Sequence, residues 1–341
     1  MSTVRDVASL AGVSVASVSR VLNHDTKYKM TQETRERVWK AVAELNYKAP
    51  TSSKQQMSIV KKNSTQKIPA VHRFGCVLNV RGGKYTDPYY LSILSGFEKT
   101  VMEKGYEIAF IRTTEELEDP QTLYNTFHEK ISGVIIMNSL DDAIFNHLKE
   151  QTSFIVGIDT IHSSIDNIAY DHFTTATMAV KHLVDCGYKE IGFIGGFEDD
   201  LKQSRRFNGY YSALHRYGLP FNEKWVLPSN WDEKYCAGRI KKAYKEGCLP
   251  RAFFVASDLM AISVLRTLYD LGLNVPKDVA VMGLSNIEIS KYSNPPLSTI
   301  SLPIYEMGRV AANVLFERIN GDDTPPKVIN LGAEILKRSS T

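Results

Sequence analysis

Nothing in the 341 residues runs apolar for 18 positions in a row, so no stretch reads as a membrane-spanning helix. No apolar signal segment opens the chain, and a cytoplasmic site of action is expected. Cysteine is scarce: Cys76, Cys186, Cys236 and Cys248 are far apart, with no C-x-x-C pair and no Cys/His spacing suited to a metal. Reduced structural thiols and no metal site are expected. The eight histidines form no H-E-x-x-H, and there is no Walker A lysine loop and no G-x-S-x-G elbow. Gly192-x-x-Gly195-Gly196 lacks the full dinucleotide fingerprint and its ribose acid, so it reads as strand–helix packing. No catalytic residue and no cofactor are expected. Acid is missing from one long stretch, with none between Glu44 and Asp87. Residues 1–73 hold 13 Lys/Arg against 5 Asp/Glu, a balance of +8 inside a chain whose net charge is +3. A basic head on a mildly acidic body is the footprint of a nucleic-acid-binding module attached to something else.

What the head does contain is helical. Val4, Val7, Ala8 and Ala11 share one face of a short helix. Gly12 supplies the backbone angle for a sharp turn, and Ser14 suits the N-cap of a second helix, Val15 to Leu22. Val18, Val21 and Leu22 point inward. Val15, Ala16, Ser19 and Arg20 point out, and this outer face combines small residues with one long donor. Such a face fits the DNA major groove: arginine can bond guanine O6 and N7, and small apolar groups can touch a thymine methyl. A third helix begins after Thr31 and buries Val38, Ala41, Val42 and Leu45.

The spelling DVA-LAGVS-ASVSRVLN, followed by TRERV and ELNY, resembles the headpiece of the LacI/GalR family of bacterial transcription regulators. The resemblance covers residues 3–47 and implies roles residue by residue. Val15, Ala16 and Arg20 would read bases. Thr3, Ser14, Ser17, Ser19 and Asn23 would bond phosphates and fix register. The loop after the second helix, HDTKYKM, is longer than the common family version, and Tyr28 is expected on the phosphate backbone.

Residues 48–73 form a basic linker bracketed by Pro50 and Pro69. Read plainly, it is a flexible tether. The family places a hinge helix here that drives a leucine into the minor groove. This chain replaces the family's Tyr-x-Pro-Asn with Tyr47-Lys48-Ala49-Pro50 and lacks the leucine. A hinge helix over about Ser53–Val60 with Met57 as wedge is the alternative expectation.

From Phe74 apolar runs alternate with helix-length amphipathic segments. The runs are Phe74–Val80, Glu107–Ile111, Gly133–Met137, Phe154–Ile158, Ile191–Ile194, Ala252–Ala256 and Val279–Leu284. Alternating βα units imply parallel sheets covered on both faces. So many residues imply two doubly wound subdomains with a cleft between them. FFVASDLMAISVLRTLYDLGLNVPKDVAVMG, NPPLSTI and MGRVAANVLFERI resemble the periplasmic-binding-protein-like core of the same family. The expected domains are a headpiece at 1–47, a linker at 48–73 and an effector and dimerisation domain at 74–341. Crossings near Asp171, Ile300 and Leu331 would give an N-subdomain of 74–171 with 301–331, and a C-subdomain of 172–300 with 332–341.

Family motifs place the effector residues. They are Asp87, Tyr89 and Tyr90 in DPYY, Asp159 after the fourth strand and Arg206 in QSRRFNGY. Trp231 in SNWDEK, Ser257 in ASD, and Ser285 and Asn286 in GLSN complete the set. Planar polar groups bond adjacent hydroxyls, and an aromatic ring covers the apolar face of a pyranose. Asp258 reads as the N-cap of the following helix rather than as a ligand group. Two departures stand out: the family's Asp-Asp is Ser285-Asn286 here, and its Gln is Leu302. DPYY and FVASD are closest to the galactose and β-galactoside repressor branch.

The resemblance implies a homodimeric, nucleoid-associated cytoplasmic repressor of a sugar operon. It would bind palindromic operator DNA and be released by a sugar such as a galactoside. Three alternatives stay open: a family member needing a co-repressor or phosphoprotein, a sugar-binding protein without regulatory role, and an enzyme of the cleft.

Overall fold

A computed structural model describes residues 2–22, 30–47, 73–80 and 87–341. Asn23, Tyr28, Met57 and the expected hinge helix lie outside the described residues.

Three helices form the headpiece: α1 (Val4–Ala11), α2 (Val15–Leu22) and α3 (Gln32–Glu44). The apolar periodicity is what folds it. Val7, Ala8, Ala11, Val18, Val21, Val38, Ala41 and Val42 close into one cluster, together with Trp39 and Tyr47. Gly12 takes φ 63°, and the next amide, Val13 N–H, returns to the Ala8 carbonyl at 3.0 Å, which ends α1.

Strands and helices then alternate. First come β1 (Arg73–Leu78), α4 (Pro88–Glu103), β2 (Glu107–Thr113), the one-turn α5 (Thr114–Leu117) and α6 (Pro120–Phe127). β3 (Gly133–Met137), α7 (Asp142–Gln151), β4 (Ile155–Ile158), β5 (Asp166–Ala169) and α8 (His172–Asp185) follow. Next are β6 (Ile191–Ile194), α9 (Arg205–Arg216), β7 (Val226–Leu227), α10 (Glu233–Lys245), β8 (Ala252–Val255) and α11 (Asp258–Asp270). The chain closes with β9 (Ala280–Ser285), β10 (Ser298–Ser301), α12 (Ile304–Ile319), β11 (Val328–Asn330) and β12 (Glu334–Leu336).

These strands build two six-stranded sheets, ordered β11-β5-β4-β3-β1-β2 and β12-β10-β9-β8-β6-β7. Pairing is parallel along β4-β3-β1-β2 and β10-β9-β8-β6-β7, while β12 runs antiparallel to β10. The series β4-β3-β1-β2 and β9-β8-β6-β7 share one winding, reversing direction at β1 and at β6. Open sheets of this kind present ligand-binding loops at the carboxyl ends of their strands. Central strands are apolar on both faces because helices cover both: all five residues of β3 and all four of β8 are buried. The seven apolar runs all become strands, with ends shifted by a residue or two. β5, β7, β10, β11 and β12 have two to four residues and carried no pattern to read.

By contacts the chain falls into two compact units. One holds the described residues of 1–84, 100–165 and 312–325; the other holds those of 85–99, 166–311 and 326–341. No helix among the described residues is long and apolar enough to cross a membrane.

Candidate functional site

The first candidate surface is on α2. Ser14 sets its start: Ser17 N–H donates to the Ser14 hydroxyl at 3.1 Å, and the two hydroxyls are 2.9 Å apart. Val18 and Val21 are buried beneath the helix. The opposite face leaves Val15 42% exposed, with Ala16 and Ser19 exposed and Arg20 half-buried. The outward face is therefore slim and partly apolar, with Arg20 its one long side chain. Thr3 has a local task. Its hydroxyl accepts the Asp6 N–H at 3.3 Å while the Asp6 carboxylate accepts the Thr3 N–H at 2.7 Å, a reciprocal N-cap of α1. The Thr3 hydroxyl bond holds the Asp6 carboxyl below its ordinary range.

Further candidate positions, in each unit taken by itself, are marked by backbone conformation. Seven described non-glycine residues have positive φ, and six end or follow strands. Asn138 (φ 63°) follows β3, Asp159 (φ 53°) follows β4, and Asn230 and Trp231 (φ 51° and 53°) follow β7. Ser285 (φ 131°) ends β9, and Asn286 (φ 58°) comes next. Strained backbone collected at carboxyl strand ends is what pre-organised ligand loops look like.

In the first unit, the turn after β3 is tied by amide groups. Asn138 Nδ2 donates to the Asn79 carbonyl at 2.9 Å, and Asn79 Nδ2 donates to the Ser139 carbonyl at 2.6 Å. Asp159 stands half-buried at the end of β4. Sequence reading named Asp159 but missed Asn138, although the same signal, a polar residue closing an apolar strand, marks both.

In the second unit, Arg206 is the centre. Its guanidinium donates to the Tyr170 hydroxyl and lies 5.7 Å from the ring centres of both Tyr170 and Trp231. Trp231 is 37% exposed, and its turn is held by Asn230 N–H to the Gly196 carbonyl at 2.9 Å. Asn230 Oδ1 also accepts the Glu198 N–H at 3.0 Å. His172 packs on Tyr170 with ring centres 4.2 Å apart. Tyr170 and His172 went unnamed in the sequence because they follow β5, one of the strands that left no pattern.

Asp87 caps α4 by accepting the Tyr89 N–H at 2.9 Å, and Tyr89 and Tyr90 meet edge to face at 5.1 Å. Burial, and secondarily the Glu233 carboxylate, raise the Asp87 carboxyl above its ordinary value; the Tyr89 N–H opposes this. Ser257 occupies the N-cap of α11 and makes no capping bond with its side chain. Asp258 is therefore not the cap that the sequence suggested. It is fully buried inside the first turn, accepting from the Thr299 hydroxyl at 2.6 Å and the Ile287 N–H at 3.0 Å. Burial pushes its carboxyl up to about 6, against the pull of these donors.

The GLSN turn is held internally. The Ser285 hydroxyl donates to the Leu284 carbonyl. Asn286 Nδ2 donates to the Ser301 hydroxyl at 3.1 Å, and Asn286 Oδ1 accepts from Arg338 at 2.7 Å. Arg338 also donates to the Leu297 carbonyl at 2.6 Å. Where the family that the sequence resembles carries Asp-Asp, this chain holds the turn with an amide. No signal in the sequence pointed to Arg338, which lies 52 positions from its partner.

Known proteins align with both the headpiece and the core. Residues 3–49 match the bacterial regulatory proteins of the lacI family, and residues 180–341 match the periplasmic binding protein-like domain. The HTH-type transcriptional repressor MelR of Bacillus subtilis is 33% identical over 351 residues, covering 100% of this chain and 97% of MelR. This chain belongs to the LacI family of bacterial regulatory proteins. A second relative, the HTH-type transcriptional repressor PurR of Aliivibrio fischeri, is 31% identical, covering 100% of this chain and 98% of PurR. Among solved structures, a transcriptional regulator CelR–cellobiose complex superposes with TM-score 0.71 at 24% identity, each chain covered in full. That likeness is one of fold. As a LacI-family member the chain is a DNA-binding transcription regulator and not an enzyme.

Proposed function

We propose that this regulator is a homodimeric repressor acting in the bacterial cytoplasm. Its two headpieces (1–47) read a palindromic operator, and its core (74–341) binds a sugar whose arrival releases the DNA. The outward face of α2 carries the DNA half of this reading. Val15, Ala16 and Arg20 read base edges there, while Ser14, Ser17 and Ser19 sit beside them for phosphate contact. A single headpiece reads too few base pairs for specificity, so two must act about one helical turn apart. Thr3, Asn23 and Tyr28 are assigned to the phosphate backbone and Met57 to the minor groove, through residues 48–73.

The effector half rests on the polar residues and rings at the strand ends. Asp159 and Asp87 supply acceptors for hydroxyl pairs, Arg206 a planar donor, and Trp231, Tyr89 and Tyr90 apolar ring faces. Ser257, Ser285 and Asn286 are the remaining residues assigned to the effector. Core strands within 74–171 and 301–331 would form the N-subdomain, and those within 172–300 and 332–341 the C-subdomain. The switch is linkage: the sugar and the operator favour different states, so each weakens the other by a coupling of about 1–3 kcal/mol.

A second reading keeps the same regulator with a co-repressor. Two rings flanking a guanidinium also suit a flat heteroaromatic base, stacked by Trp231 and bonded by Arg206. One experiment separates the readings. Duplexes bound by the purified protein are selected from a random pool, and the protein is then melted with sugars, galactosides first, and with nucleobases, with and without the selected DNA. A sugar that stabilises the free protein and weakens DNA binding supports induction; a base that strengthens DNA binding supports co-repression. Selected duplexes without two-fold symmetry would refute the dimeric reading.

A further inference from the structure

The headpiece does not stand alone in the first unit. Trp39 on α3 meets Tyr124 on α6 with ring centres 5.0 Å apart. Tyr124 packs against the headpiece's own apolar cluster, alongside headpiece residues such as Leu45 and Met30. At the end of α3 the chain turns through Asn46 at φ 43°, and its side-chain amide donates to Glu150 on α7 at 2.7 Å. Between these anchors lies a groove with Val42 and Tyr47 on one bank and Leu123, Phe127 and His147 on the other. The α2 face is not part of this seam, since Val15 keeps 42% of its surface exposed.

We propose that α6 and α7 form a docking surface for the chain's own headpiece. The headpiece is then oriented by side-chain contact as well as by its chain connection to the core. The chemistry fits a reversible seat: one aromatic pair, one amide–carboxylate bond at the rim, and a shallow apolar groove rather than a continuous core. Because the seat leaves α2 uncovered, docking presents the groove-reading face instead of hiding it. A shift of α6 and α7 would move the headpiece directly. This proposal concerns headpiece placement and does not depend on which effector the core binds.

Trp39 is its own reporter. The test uses the full chain with Trp225→Phe and Trp231→Phe, which leaves Trp39 as the single tryptophan. Tyr124→Ala is expected to shift Trp39 emission to the red and to increase its quenching by iodide; Tyr124→Phe, which keeps the ring, is expected to restore the parent values. Asn46→Ala and Glu150→Ala should each raise quenching, and the double variant should raise it no further than either alone, since they remove one bond. Far-UV circular dichroism confirms that the headpiece helices persist, so loss of signal is not unfolding. Emission and quenching unchanged in Tyr124→Ala would overturn the proposal. So would a Trp39 signal that varies with protein concentration, which would seat the headpiece on a second copy.

Discussion

Arg206 shows how a single side chain joins chemistry and position. It leaves the first turn of α9, bonds the Tyr170 hydroxyl and lies over two rings, so its guanidinium plane is set before any ligand arrives. Removing a charged donor of this kind costs about 1.5–3 kcal/mol, roughly ten- to hundredfold in affinity. Arg206→Ala is expected to lose the ligand-induced rise in melting temperature and keep DNA affinity within about twofold, as read by thermal shift and fluorescence anisotropy. Equal ligand response in the variant would remove Arg206 from the site. On the other surface, Arg20→Ala should cost about 1–3 kcal/mol on the selected duplex and relax preference at one base pair. An equal loss on random DNA would mean that Arg20 holds phosphate and reads nothing.

Asp258 carries a pH dependence whose sign follows from its burial. In the unfolded chain the carboxyl ionises near 3.8, and in the folded chain near 6. Between those values the folded chain holds the extra proton. The contribution of this group to stability is therefore complete below the lower value and lost as pH rises through the upper one. Asp258→Asn keeps the shape, cannot ionise and removes that slope. Melting temperature measured from pH 4 to 6 should fall less steeply with pH in the variant than in the parent; parallel curves would contradict the assignment.

At the scale of elements, two glycines set a helix crossing. A Cβ at Gly308 on α12 would overlap the Ile93 carbonyl oxygen on α4, and one at Gly96 would overlap the Tyr305 carbonyl oxygen. Overpacking costs about 1–3 kcal/mol, more than the roughly 1 kcal/mol that alanine gains over glycine in a helix. Gly308→Ala is expected to lower the melting temperature. Gly238 on α10 has open space where its Cβ would be, so Gly238→Ala should raise it by the helix-propensity term alone. A stabilised Gly308→Ala would show that α4 and α12 can separate without loss.

Elements also show what was legible in advance. The headpiece helices were readable to within a residue because 3.6-residue periodicity, a glycine turn and hydroxyl caps all agreed. The seven core runs were readable because buried parallel strands are continuously apolar. Ser298–Ser301 and Asp166–Ala169 were not, since four-residue strands of mixed polarity carry no period. Trp39 was left out of the buried stripe of α3, although it is only 4% exposed; it lies at the edge of that stripe, where Tyr124 covers it.

For the whole molecule, the decisive quantity is avidity. In the proposed dimer, two headpieces carried by one molecule turn the second contact into an intramolecular event, worth about 10²–10⁴ in affinity when spacing fits. A duplex with one half-site scrambled should bind at least about a hundredfold more weakly than the full palindrome. Inserting five base pairs between the half-sites should weaken it comparably, because the heads would face opposite sides of the helix. Affinity indifferent to both changes would describe a monomeric reader.

The sequence by itself determined the class of elements, the outward face of α2 and the family, because each rests on local pattern and on residues close together in the chain. Only the tertiary structure decided which polar groups are committed. Asn286, named in GLSN for the effector, has its amide held by Ser301 and Arg338. Asp258 looks like a cap, yet its carboxylate is buried between Thr299 and Ile287. Asn138, Tyr170 and the Trp39–Tyr124 contact belong to the same class. The physical reason is that a hydrogen bond or a ring contact is made with whatever the fold brings within a few ångströms, and sequence separation carries no information about that distance.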